Sequence, residues 1–156
     1  MEIHEFLDIY GEDLKNGIVK EECIGEIFDF LLEMAGSDLN AVKSQLVRIY
    51  SHLLKYQYQP FKQSRSWINT IRDASVQLSI LLTNKSLMNK ISIEIQNDMY
   101  KKGVREAVRQ THLSKYTFPD NITDQFKLDH LIDDDYIDAY LVRYACSDQA
   151  KKELGI

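Results

Sequence analysis

The 156-residue chain contains few of the residues that break helices or cross-link folds: six Gly, two Pro and two Cys. Cys23 and Cys146 lie far apart, and neither belongs to a CxxC pair. The sequence therefore predicts neither a zinc site nor a disulfide framework, and we expect reduced thiols. No apolar run approaches the ~20 residues that cross a bilayer, and residues 1–15 are too acidic for a secretory signal or transit peptide. We expect a cytoplasmic protein with no membrane partner.

Sequence motifs that hold phosphate, metal or a catalytic nucleophile are also missing. The chain has no GxGxxG, Walker loop, GxSxG, HExxH or EF-hand spacing. The run Asp133, Asp134 and Asp135 invites a metal interpretation, but adjacent carboxylates before a helix more often serve as an N-cap. We therefore predict no cofactor and no metal site.

Apolar residues recur at steps of three and four along most of the chain, which predicts an all-α fold. We expect a single domain over residues 1–156, an antiparallel bundle of about five main helices plus a C-terminal helix. Gly36 is expected to end the second helix, with Ser37 or Asp38 capping the third, and Pro60 should stop the third. The predicted helices cover residues 3–14, 24–34, 39–56, 67–81, 87–107 and 136–144.

Residues 52–72 are rich in aromatic and basic side chains and include no acidic residue. They contain the only Trp, Trp67, and one of the two Pro, Pro60. Their order, H-L-L-K-aromatic-Q-Y-Q-P followed by R-S-W, resembles the signature of the bacterial domain-of-unknown-function family twenty-nine. The resemblance is best over residues 37–137 and extends to L-I-D-D-D-Y at 131–136, which is similar to the family's C-terminal pattern. It implies a small all-helical protein and supplies no catalytic residues.

Charge is distributed unevenly along the chain. Residues 1–39 carry a net charge of -9, residues 40–72 of +6, residues 73–115 of +3 and residues 116–156 of -5. One interpretation is that the acidic termini pack beside the basic helices and neutralise them on a solvated surface. The other is that the middle of the chain exposes a basic face for an acidic protein or a nucleic acid. The candidate binding residues of that face are Lys55, Tyr58, Lys62, Arg65 and Arg72, beside Lys43 and Arg48.

His52 is the titratable residue of the block that could act as a general base or a metal ligand. No carboxylate in the block could orient its imidazole, so we expect a half-buried histidine that is hydrogen-bonded to a neighbouring helix. Together with Pro60 and Trp67 it forms the structural signature of the block. Tyr58 and Trp67 are expected to fill the corner between the third and fourth helices.

Arg105 and His112 are the weak candidates for catalysis. They are separated by six residues, which on a helix corresponds to two turns and one shared face. This spacing resembles the motif of helical ribonucleases of bacterial toxin systems, in which Arg would hold the scissile phosphate and His would serve the 2'-hydroxyl. Matches of this form arise easily by chance.

The sequence favours a non-enzymatic module that acts through a surface, binding another protein or a second copy of itself. A toxin-antitoxin component, a mobile-element factor or an inhibitor would fit this description. The alternative is a nucleic-acid-binding protein or a helical ribonuclease that uses the basic middle segment and Arg105 with His112. The pI near 5.4 argues against a dedicated nucleic-acid binder.

Overall fold

The structure is a computed structural model that describes residues 2–156, apart from the side chain of Ala35. Helices account for 80% of the chain, and the described residues contain no strand. The predicted all-α fold is therefore confirmed. The helices are α1 (Ile3–Lys15), α2 (Glu21–Tyr58), α3 (Arg65–Leu81), α4 (Lys85–Lys90), α5 (Ile93–Thr111), α6 (Leu128–Leu131), α7 (Asp134–Tyr144) and α8 (Asp148–Leu154).

Side-chain caps explain where most of these helices begin. In five helices the residue before the first turn accepts a hydrogen bond from a backbone N–H of that turn, which would otherwise lack a partner. The capping residues are Ser64 of α3, Asn84 of α4, Ser92 of α5, Asp133 of α7 and Ser147 of α8. The capping function predicted for the triple Asp is confirmed, because Asp133 accepts from the N–H groups of Asp135 and Tyr136.

The predicted end of the second helix at Gly36 is wrong, because α2 continues from Glu21 to Tyr58. A glycine inside a helix costs only about 1 kcal/mol, and the flanking turns on both sides offset that cost. The predicted stop before Pro60 is confirmed. Pro60 begins a short 3-10 turn that ends at Lys62.

The predicted fifth helix is in fact two helices, and two short helices, α6 and α8, were not predicted. Ile91 and Ser92 interrupt the chain between α4 and α5, and the Ser92 hydroxyl accepts from the N–H of Ile95. The C-terminal helix α8 follows α7 after a three-residue break. It ends at Gly155, whose φ of 72° is the left-handed conformation that glycine adopts without strain.

The described chain divides into two compact units, one ending at Asn40 and the other covering residues 41–156. The first unit contains α1 and the first part of α2. Phe6 lies nine residues before the end of α1, and Phe30 lies nine residues after the start of α2. The two rings meet edge to face at 5.1 Å. The two segments therefore form an antiparallel pair, which we call the N-terminal hairpin. The single domain expected from the sequence stays a prediction.

The second unit is built around tyrosines whose rings are buried and whose hydroxyls donate to backbone carbonyls. Tyr50 donates to Phe126, Tyr56 to Leu141, Tyr100 to Pro119 and Tyr140 to Leu53. Burial raises the pKa of Tyr56 to about 12 and that of the other three also, so the phenols stay protonated donors. The bonds of Tyr50, Tyr56 and Tyr140 join α2 to α7 and to the segment after α5, and the bond of Tyr100 joins α5 to that segment.

Gly103 allows α5 to approach α2 closely. A Cβ atom at this position would lie 2.7 Å from the Cβ of Tyr50 and 3.2 Å from the backbone N of Ser51. The crossing of the two helices therefore depends on the absence of a side chain at residue 103.

Candidate binding surfaces

His52 lies on α2, half-buried, and its role is local. Its Nδ1 lies 2.9 Å from the carbonyl oxygen of Arg48, one turn earlier in the same helix. The half-buried position agrees with the expectation, whereas the expected bond to a neighbouring helix is replaced by a bond within α2. Burial lowers the pKa of the His52 imidazole, an effect that the bond to Arg48 partly opposes.

Lys55 does not lie on an exposed basic face, because only 5% of its surface is exposed. Its Nζ donates to Oε1 of Gln110 at 2.6 Å and lies 5.0 Å from the centre of the Trp67 ring. Burial lowers the pKa of the Lys55 ammonium, and the attraction of Glu106 raises it. The ammonium thus links α2 to α3 and α5 through a cation–π contact and a hydrogen bond.

The other basic residues of this face lie near the surface, and three of them are paired. Arg65 Nε lies 3.4 Å from Glu153, the Arg72 guanidinium lies 3.3 Å from Asp138, and the Arg48 guanidinium lies 2.8 Å from Asp73. Lys62 is exposed, with no carboxylate within ion-pair distance among the described residues. Within the second unit, acidic residues of the C-terminal helices therefore lie beside basic residues of α3, as the first charge interpretation expects.

The two aromatic residues of the corner take part in separate contacts. The Tyr58 ring meets Phe118 edge to face at 5.3 Å, whereas the half-buried Trp67 ring lies under Lys55. Tyr58 and Trp67 therefore have separate packing partners, and the expectation that they jointly fill the corner stays a prediction. A large aromatic side chain can satisfy its apolar faces against any nearby element, and sequence proximity does not select one.

Gln63 is the residue that ties this corner together, and the sequence analysis missed it. Its side chain is buried, Nε2 donates to the carbonyls of Tyr56 and Tyr144, and Oε1 accepts from the N–H groups of Cys146 and Ser147. The amide therefore satisfies the end of α2 and the break between α7 and α8 at once. The local sequence does not indicate this role of Gln63, because the partners Tyr144, Cys146 and Ser147 lie about eighty positions away.

Arg105 lines a groove between α5 and the segment that follows it. After α5 the chain turns at His112, whose φ is 61°, and returns along the helix through a 3-10 turn at Lys115–Thr117. The hydrogen bond from Tyr100 to the carbonyl of Pro119, 2.7 Å long, holds the returning segment against α5. We call the resulting space, about 520 Å³ in volume, the α5 groove.

The lining of the α5 groove is apolar along its walls and basic around them. Its apolar residues are Val104, Val108, Tyr116 and Pro119, and its cations are Lys101, Arg105, Arg109 and Lys115. Asp120 is the one carboxylate that lines it.

His112 does not line the α5 groove with Arg105. Arg105 and His112 would share a face only if one helix continued through both residues. In the structure α5 ends at Thr111, and His112 is its left-handed C-terminal cap. The N–H of His112 bonds the carbonyl of Val108 at 2.9 Å, and its side chain is exposed. The two residues therefore do not form one cleft.

The N-terminal hairpin exposes a large share of its apolar side chains. Among the residues whose side chains the structure describes, ten of the seventeen exposed large apolar ones lie between residues 3 and 34, and Phe6 and Cys23 are the buried apolar residues of this unit. On α2 the exposed residues recur at helical spacing and form what we call the apolar stripe: Ile24, Phe28, Leu31 and Leu32, each 57–60% exposed.

Acidic residues occupy a different side of the same helix. Glu22, Glu26, Asp29 and Glu33 follow a three-and-four spacing that places them away from the apolar stripe. The first part of α2 is therefore amphipathic, with one acidic side and one apolar side that the described residues of its own unit leave more than half exposed.

The described residues contain neither a metal-binding cluster nor a helix that could cross a membrane. No group of three or more His, Cys, Asp or Glu residues is arranged to hold a metal ion. No helix among residues 2–156 has both the length and the apolar character needed to cross a membrane.

Comparison with known proteins gives one match. The family model described as Domain of unknown function DUF29 matches residues 4–137. No curated protein and no solved structure matches the chain.

Proposed function

The chain belongs to the DUF29 family, whose function is unknown, and we propose that it is a protein-binding module that acts through its N-terminal hairpin. The observation that supports this proposal is the apolar stripe of α2, whose four side chains are each more than half exposed. Contiguous exposed apolar residues on a helix are typical of an interface that a partner helix covers.

The exposed apolar area contributes to binding without being sufficient alone. Full burial of a large apolar side chain contributes about 1.5–3 kcal/mol, so covering the exposed part of the four stripe residues would contribute roughly 3.5–7 kcal/mol, and covering that of all ten exposed apolar residues of the hairpin roughly 8–16 kcal/mol. Association itself costs about 4–15 kcal/mol. Because the two quantities are comparable, we expect charge on the hairpin to contribute to affinity and to decide which partner binds.

The charge of the hairpin favours a basic partner. Residues 1–39 carry a net charge of -9, and two copies of the hairpin would repel each other. We therefore propose an amphipathic helix of another protein, with Leu-like residues on one face and Lys or Arg on its flanks. A basic partner differs from the acidic partner that an exposed basic middle segment would bind. The interpretation of the middle segment as a basic binding face is weakened because Lys55 is buried and because Arg65 and Arg72 are paired with carboxylates.

The test compares two phenylalanines that are both exposed and both outside the core. Phe28 belongs to the apolar stripe and is 60% exposed, and Phe61 lies in the 3-10 turn after α2 and is 85% exposed. Tagged wild-type protein, Phe28→Ser and Phe61→Ser would be expressed in the native host and captured, and bound proteins quantified by mass spectrometry. We expect one partner with a basic amphipathic helix, lost with Phe28→Ser and retained with Phe61→Ser.

Salt dependence and oligomeric state complete the test. The wild-type complex should weaken as salt rises from about 0.05 M to about 0.5 M, because screening shortens the range of the attraction. A complex lost equally with both variants, or a wild-type dimer that Phe28→Ser converts to a monomer, would contradict the proposal.

A further inference from the structure

The α5 groove has the dimensions of a small-molecule site. Its volume of about 520 Å³ falls within the range of ligand pockets, roughly 300–1,000 Å³. Along α5 it extends from Lys101 to Arg109, which at 1.5 Å per residue is about 12 Å. A protein partner typically covers about 800 Å² on each side, far more than a groove of this length offers.

Three of the four cations at the groove are free to bind an anion. Among the described residues, Lys101, Arg105 and Lys115 have no carboxylate within ion-pair distance. Arg109 is held by Glu106 at 2.7 Å, and Asp120 offsets one positive charge at the groove. The groove therefore keeps a net positive charge that its own residues do not neutralise.

The apolar walls of the α5 groove require that a ligand also has an apolar part. Val104 and Val108 lie one turn apart on α5, and Pro119 faces them from the returning segment. Tyr116 is 81% exposed, with the ammonium of Lys115 5.1 Å from the centre of its ring. A simple inorganic anion would satisfy the cations and leave these walls in contact with water.

We propose that the α5 groove binds a small amphiphilic carboxylate, with its apolar chain along Val104 and Val108 and its carboxylate at Lys101 and Arg105. This site is independent of the N-terminal hairpin and adds a small-molecule ligand to a protein-binding module. The chemistry follows from complementarity, since a cationic rim beside an apolar wall selects a molecule that carries both features.

The probe is decanoate, whose extended chain is comparable in length to the groove. The full chain, labelled with ¹⁵N, would be titrated with decanoate, with acetate as the anion alone and with decyltrimethylammonium as the apolar chain with the opposite charge. We expect decanoate to shift the amide resonances of residues 101–109, 115–118 and 120, and the two control compounds to bind there at least about tenfold more weakly.

The matched variants are Lys101→Glu and Lys102→Glu, which make the same charge change at adjacent exposed positions of α5. Lys101 lines the groove and Lys102 does not. We expect Lys101→Glu to weaken decanoate binding about fivefold and Lys102→Glu to weaken it less than about twofold. Equal effects of the two variants, equal binding of acetate or of decyltrimethylammonium, or no shifts in the groove would each overturn the proposal.

Discussion

Replacement of Gly103 by alanine should destabilise the second unit, although alanine is the better helix former. In an open helix the change would stabilise the protein by about 1 kcal/mol. At Gly103 the added Cβ would lie 2.7 Å from the Cβ of Tyr50 and 3.2 Å from the N of Ser51, well inside ordinary contact. Overpacking of this kind costs about 1–3 kcal/mol, and more where neither partner can move.

Tyr50 cannot move easily, because its ring is fully buried between Tyr100 and Phe126 and its hydroxyl donates to the carbonyl of Phe126. We therefore expect the overpacking cost to exceed the helix gain and Gly103→Ala to lower stability by about 2 kcal/mol. The melting temperature should fall by roughly 5–10 °C.

The control is Gly25→Ala, at a helical glycine of α2 whose added Cβ would meet no atom within 4 Å. It should leave stability unchanged or raise it by up to about 1 kcal/mol. Thermal unfolding followed by circular dichroism measures both variants. A Gly103→Ala protein as stable as the wild type, or more stable, would refute the close crossing of α2 and α5.

Three further results are expected from thermal and denaturant unfolding. Gln63→Ala should cost about 2–4 kcal/mol, because it leaves several backbone groups at the corner without a partner, whereas Gln77→Ala at an exposed position should change little. Lys55→Glu should lower the free energy of unfolding by about 2–4 kcal/mol because Lys55 is buried, whereas Lys62→Glu, at an exposed position, should change it by less than about 0.5 kcal/mol. A larger loss with Lys62→Glu than with Lys55→Glu would refute the buried position of Lys55. Burial lowers the pKa of the His52 imidazole in the folded state, so its contribution to the free energy of unfolding is complete above pH 6.5 and is lost as the pH falls toward the folded pKa. His52→Gln should therefore reduce the dependence of the free energy of unfolding on pH in this range, and an unchanged pH dependence would contradict this expectation.

The sequence predicted the helical content and several helix ends because these depend on local chemistry. Pro60 lacks an N–H and restricts the residue before it, so α2 had to stop there. Asp133 carries a side chain that suits a cap, and it caps α7. Gly36 has an equally clear local preference for ending a helix. A glycine inside a helix destabilises it only slightly, however, so the long helix α2 continues through residue 36.

The candidate site was predicted less well, because it depends on which faces the fold covers. Lys55 belongs by sequence to a basic segment, yet it is buried in contact with Trp67 of the same segment and with Gln110, which lies 55 positions further along the chain. Conversely, the apolar spacing predicts a helix over residues 24–34 without showing that its own unit leaves Phe28 and Leu31 exposed. Sequence periodicity identifies a face, whereas the tertiary structure determines what covers it.

The central claim is that the apolar stripe of the N-terminal hairpin is a protein-binding surface. The most direct measurement is photo-crosslinking in the native host with p-benzoylphenylalanine at Phe28 and, as the matched control, at Phe61. We expect position 28 to crosslink one partner protein through a basic amphipathic helix, and position 61 not to crosslink that protein. A crosslink from position 28 to a second copy of the chain alone, or the same partner from both positions, would show that the stripe is not this binding surface.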